Sequence, residues 1–193
     1  MAPANKYNIS GIDFVDDQYT VEQSLIRNKY EALDSAGNTV LSGKQKMFKM
    51  KEEFPFVDAN GEDVFSVKAA GIIDVAGDYL LIDAQTEAEL VVLSNDFSMF
   101  QDTWTVRDAE TGSKLAEINS RGAVVTALRG FLPLGYLIPH KYEITDANGD
   151  HVGSINGQLS FRDRYEITID DATDVPKEPI LAAAMVIDAI QNN

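Results

Sequence analysis

A short turn motif returns along this chain at nearly even spacing, and that spacing restricts the fold more than any other feature. Its clear copies are Asp34-Ser-Ala-Gly-Asn38, Asp58-Ala-Asn-Gly-Glu62 and Asp146-Ala-Asn-Gly-Asp150. Looser copies stand at Asp83-Ala-Gln-Thr-Glu87 and Asp108-Ala-Glu-Thr-Gly112, and a degenerate sixth begins at Asp170. Successive aspartates are 24, 25, 25, 38 and 24 residues apart. Asp and Asn bond their own backbone in turns, and Gly takes positive φ without a steric cost, so each copy reads as a β-hairpin tip.

A period near 25 leaves room for two strands and a second connection. The flanks agree: Lys29-Tyr-Glu-Ala-Leu33, Tyr79-Leu-Leu-Ile82, Thr103-Trp-Thr-Val106, Lys141-Tyr-Glu-Ile144 and Tyr165-Glu-Ile-Thr-Ile169 are rich in strand formers, several alternating polar with apolar. Five hairpins supply ten strands. A strand before Asp170 and one near Tyr19–Gln23 bring the number to about twelve. The predicted fold is mainly β: a closed antiparallel barrel, which leaves no edge exposed. A calcium loop is the rival reading of the turns. An EF-hand needs Gly at position six and Glu at twelve, whereas Gly falls fourth here, which leaves at most weak calcium binding at the tips.

One helix is expected, over about 176–191. Ile180 to Ile187 are eight apolar residues in a row, three of them alanines. Pro176 and Pro179 suit a first turn, and Asp174 could cap it. A helix apolar on every side is buried, and spanning a bilayer takes about 20 residues, so the run belongs in the barrel lumen. Ile180, Leu181, Met185, Val186 and Ile187 are its predicted core contacts. Asp188 should reach solvent or pair with a cation.

The 193 residues make one domain at 19–193, behind a poorly ordered lead-in at 1–18. There is no cysteine, hence no disulfide and no thiolate metal site. No cofactor or metal is implied. The opening residues lack a basic start and an apolar stretch, so a cytoplasmic location is expected. Net charge is −15, which disfavours nucleic acid and anionic membranes as nonspecific partners. Nineteen aspartates against twelve glutamates suit a salt-loving cell, such as a halophilic archaeon, or simply an acidic protein of an ordinary bacterium.

Two segments attract attention as sites. Lys44, Lys46, Lys49 and Lys51 crowd eight residues of an acidic chain. They are either an anion site, which Arg27, Arg162 and Arg164 could join, or a lysine-protected edge strand. The long interval near 121–140 holds Arg129, Phe131, Leu132, Tyr136 and His140. It either packs over one barrel end or offers an interaction surface. The two histidines, His140 and His151, stand in no recognisable catalytic or metal-binding pattern.

The Tyr19-Thr-Val-Glu-Gln-Ser-Leu25 strand followed by Lys29–Gly37, the hairpins with Asp-x-x-Gly tips, and the closing Pro179–Ile190 run together resemble the LURP-one-related family, within the tubby C-terminal-like and phospholipid scramblase superfamily. The resemblance spans roughly 19–191. It implies a barrel around a central helix and a non-enzymatic protein, with anionic lipid headgroups or a protein as partner. Scramblase-like lipid handling is the alternative, and a hydrolase using His140 a second. The chain departs from lipid-active members in its negative charge, its lack of cysteines and its short helix. A monomer without a transmembrane span is expected.

Overall fold

The computed structural model of the chain describes residues 6–24, 29–44, 53–69, 78–98, 101–120, 141–158, 164–170 and 175–191. The strands are β1 (Gln18–Ser24), β2 (Lys29–Leu33), β3 (Thr39–Lys44), β4 (Phe54–Val57), β5 (Asp63–Ala69), β6 (Asp78–Asp83), β7 (Glu89–Ser98), β8 (Gln101–Asp108), β9 (Lys114–Ser120), β10 (Lys141–Asp146), β11 (His151–Gln158) and β12 (Arg164–Ile169). Each pairs antiparallel with its sequence neighbours, and β1 pairs with β12, so the twelve close into an up-and-down barrel. The five predicted tips are the turns of β2–β3, β4–β5, β6–β7, β8–β9 and β10–β11. In such a meander all five lie at one end, called the crown below. The other connections leave from the opposite rim.

Turn chemistry sorts the tips into two kinds. In the three clear copies the first and fifth residues bond through the backbone, and Gly37, Gly61 and Gly149 take positive φ. The looser copies are one residue longer: Asp83 N–H donates to the Ala88 carbonyl, and Asp108 N–H to that of Ser113. The left-handed position then falls fifth, on Gly112 in one tip and on Glu87, at φ 57°, in the other.

After every tip one residue of the returning strand is left out of register: Val40, Val64, Leu90, Leu115 and Val152. Such bulges bend the strand. Here each bulged residue is apolar and is buried or packed against the core, so the wall closes inward at the crown.

Side chains alternate in and out along each strand, and an aromatic faces inward four residues before each tip aspartate: Tyr30, Phe54, Tyr79, Trp104 and Tyr142. Tyr165 holds the same level in β12, four residues before Ile169. Tyr79 and Tyr165 are half-buried against the core and the rest are buried.

The helix, α1 (Lys177–Gln191), starts at the crown and fills the lumen. Ile180, Leu181, Met185, Val186 and Ile187 are each at most 3% exposed, and Ala182 to Ala184 at most 6%. Eight consecutive residues cover more than two turns, so the helix is enclosed on all sides. Lys177 and Glu178 precede Pro179, which lies in the first turn, where its missing donor costs little.

Residues 6–17 depart from the expected loose lead-in. They lie across the crown as a strap, with Ile9 1% and Phe14 4% exposed. The chain was short of obvious partners for this segment only because those partners are far away in sequence.

Two substitutions check this fold. Met185→Asp places an unpaired charge in the dry lumen and should cost several kcal/mol, of order 3–5. A urea midpoint left unchanged would put the helix outside the wall. Glu87→Gly relieves the strain of a left-handed non-glycine residue, about 1–2 kcal/mol, against a smaller entropic cost. The variant should therefore be more stable by about 0.5–1 kcal/mol in chemical denaturation, and a loss of stability would contradict the turn geometry.

Candidate functional site

The five tip aspartates use their two carboxylate oxygens differently. In all five, Oδ1 accepts backbone N–H groups of its own turn: Asn38, Asn60 and Glu62, Gln85 and Thr86, Glu110 and Thr111, Asn148 and Asp150. In the three clear copies Oδ2 accepts the side-chain amide of the motif's own asparagine, Asn38, Asn60 or Asn148. The looser copies have no asparagine, and their Oδ2 atoms face the strap. Asp83 Oδ2 accepts Ser10 N–H at 2.6 Å. Asp108 Oδ2 accepts the Tyr7 hydroxyl and lies 2.7 Å from Lys6 Nζ.

These two aspartates are 1% and 2% exposed. Burial pushes the Asp108 carboxyl up, but Lys6, Tyr7 and Thr111 outweigh it and hold the group well below the usual carboxylate range. Asp83 behaves alike: the N–H groups of Ser10 and Thr86 overcome its burial. The Tyr7 hydroxyl is pushed up to about 12 by burial and by the Asp108 acceptor.

The strap continues across the crown. Asp16 accepts both the N–H and the hydroxyl of Ser35 in the first tip, at 2.9 and 2.6 Å. Phe14 meets Tyr19 edge-on, with centroids 5.3 Å apart. Ile169 N–H donates to the Asp17 carbonyl. Lys177 at the helix start donates to the Asp16 carbonyl and pairs with Asp17 at 2.7 Å. Strap, hairpins and helix are thus tied at one mouth.

The opposite rim has another character. Lys29 and Lys44 are paired across β2 and β3, Lys141 starts β10 and Arg164 starts β12. Lys29 bonds Glu31 at 3.0 Å and Arg164 lies 3.4 Å from Glu22, while Lys141 is exposed. In the sequence, the segments between these strands contain Arg27, Lys46, Lys49, Lys51, Arg121, Arg129 and Arg162, all of which lie outside the described residues. Eleven of the sixteen cations therefore belong, in sequence, to the rim ends of these strands or to the segments that join them. The connections 70–77 and 99–100 contain none.

Of the residues singled out in the sequence, Lys44 closes β3 at this rim. Lys46, Lys49, Lys51, Arg129, Phe131, Leu132, Tyr136 and His140 lie outside the described residues. His151 starts β11 beside a tip and is exposed. Among the described residues no group of three or more acids and histidines could hold a metal ion, and no helix is long and apolar enough to cross a membrane.

Sequence reasoning passed over the strap residues Lys6, Tyr7, Ile9 and Phe14. A signal was present: Asp83 and Asp108 head the two copies without an asparagine to occupy Oδ2.

The family model for LURP-one-related proteins matches residues 39–188, most of the chain. The chain belongs to the LURP-one-related family. Its barrel is similar to a crystal structure of a protein from Arabidopsis thaliana, at 11% identity and a TM-score of 0.56, covering 91% of this chain and 92% of that one. At that identity the likeness concerns the fold alone. No curated protein matches. In this LURP-one-related barrel the helix fills the lumen.

The crown carries a pH prediction. Asp108 titrates below its ordinary value, so its contribution is complete above about pH 4 and is lost as pH falls through the depressed folded value. Asp108→Asn should lower stability at neutral pH and flatten the acid limb of stability against pH. An unchanged acid limb in urea titrations from pH 2 to 7 would contradict the Lys6–Tyr7–Asp108 cluster.

Proposed function

We propose that this LURP-one-related protein is a non-catalytic binding barrel whose basic rim takes an anionic partner, a lipid headgroup being the first candidate. One observation carries the reading. In a chain of net charge −15, Lys29, Lys44, Lys141 and Arg164 stand at one rim, and the sequence segments joining those strands contain seven more of its sixteen cations. Lysines shielding an edge strand have no such purpose here, since a closed barrel has no edge. Cations clustered in this way raise the local potential and attract anions despite the overall charge. Lys44, Lys46, Lys49 and Lys51 are the densest group in the sequence, and Lys29, Lys141 and Arg164 stand at the same rim as Lys44.

The acidic crown suits a salt-rich cytoplasm, where screening reduces repulsion to a few ångström, about 3 Å at 1 M. Binding should accordingly be read at both low and molar salt. Vesicles containing phosphatidylserine should float with the protein at low salt, while pure phosphatidylcholine vesicles should not. Changing Lys44, Lys46, Lys49 and Lys51 together to Ser should abolish most of that flotation. Each cation near an anionic surface contributes about 1 kcal/mol. Flotation absent with the wild type, or unaffected by the four changes, would reject the headgroup reading.

A further inference from the structure

The crown holds a second feature, independent of the rim. Asp83 and Asp108 are almost fully enclosed, yet each points one oxygen at a segment that is not part of its own turn. A buried carboxylate is costly unless hydrogen-bonded and charge-paired. The three other tip aspartates are only partly buried and bond within their own loops, with Asn38, Asn60 and Asn148. The Asp83 and Asp108 tips instead require donors from outside, and the strap supplies one backbone N–H, one hydroxyl and one ammonium.

The apolar half of the seat is also in place. Val64, Leu90 and Val152 are bulged inward and buried around the same mouth as Ile9 and Phe14. The space at Gly11 is tight: a β-carbon there would stand 3.0 Å from the Gln85 amide and 3.6 Å from Val64. The mouth therefore has the parts of a peptide groove: fixed acceptors for a cation, a hydroxyl and a main-chain donor, with apolar sockets between them.

We propose that the crown is a peptide-docking groove, filled in cis by residues 6–17 and open to exchange with a segment of like chemistry from another chain. The ligand is a short peptide with a cation and a tyrosine at its start, an aliphatic residue two positions after the tyrosine, and an aromatic five positions further on. That pattern is the strap's own: Lys6, Tyr7, Ile9 and Phe14.

The test uses the full chain carrying Ile9→Ser and Phe14→Ser, which loosens the strap and leaves the seat intact. A fluorescein-labelled synthetic peptide with the sequence of residues 4–17 is titrated and followed by anisotropy. Saturable binding at least about tenfold tighter than to the wild type, whose seat is occupied, is expected. Adding Asp83→Asn and Asp108→Asn should weaken it by about tenfold or more, because the charged acceptors are lost. A loosened chain that keeps wild-type circular dichroism and the emission of Trp104, the single tryptophan, but shows no saturable binding overturns the proposal. So does binding unaffected by the two Asn changes. If the serine pair fails to fold, Lys6→Glu is read in the same assay. Tighter peptide binding than to the wild type then supports the groove, and equal binding rejects it.

Discussion

The barrel depends on filling its own lumen. Eight strands enclose a space that side chains alone can pack. Twelve enclose more, and an α-helix about 10 Å across fits the difference. The chain meets this requirement with an apolar run that could serve nowhere else: too short for a membrane and without a polar face for water. Its alanines are small, while the wall contributes the large residues Trp104, Tyr30, Phe56 and Phe65. The filler also has to enter somewhere. It follows β12, so it enters at the crown, and the crown must then be closed around it. Lys177 and Glu178, the last polar residues before the dry segment, meet the strap there. Burial raises the Glu178 carboxyl above its usual range, against the pull first of its own backbone N–H and then of that of Phe14.

The parts legible in the sequence are those whose causes are local. A turn aspartate bonds atoms two to four residues away, so its spacing counts strands directly. An eight-residue apolar run declares a buried helix without reference to its surroundings. The aromatic four residues before each tip was equally readable, as Tyr30, Phe54, Tyr79, Trp104 and Tyr142 precede Asp34, Asp58, Asp83, Asp108 and Asp146. It is a matter of counting inward-facing positions back from the turn. The strap was not legible in this way. Ser10 is 73 residues from Asp83 and Tyr7 is 101 from Asp108, and no local propensity reports a contact made across the whole chain. What the sequence does hold is a defect in the repeat, two tips without asparagine, and it gains meaning only once the barrel brings the N-terminus over them.

Charge segregation follows from the same topology. In an up-and-down barrel, alternate connections fall at opposite ends. This chain writes aspartate into every second connection and cations into most of the others, so its charges alternate along the sequence in step with the strands. Its net charge then describes neither end. The crown tips carry aspartates, while Lys29, Lys44, Lys141 and Arg164 stand at the opposite rim. Arguments from total charge alone therefore overlook how the charges alternate along the chain.

The two ends also differ in how their charges are held. At the rim Lys29 and Arg164 are half-exposed and paired with partly exposed acids, which contributes little to stability. Such groups can exchange one partner for another at low cost, as a reversible anion site requires. At the crown Asp83 and Asp108 are buried, and losing their partners would strand a charge in a dry mouth. Release of the strap is therefore favourable only when a replacement supplies the same donors. Water and salt compete readily for the exposed Lys141, but less well for the buried carboxylates of Asp83 and Asp108.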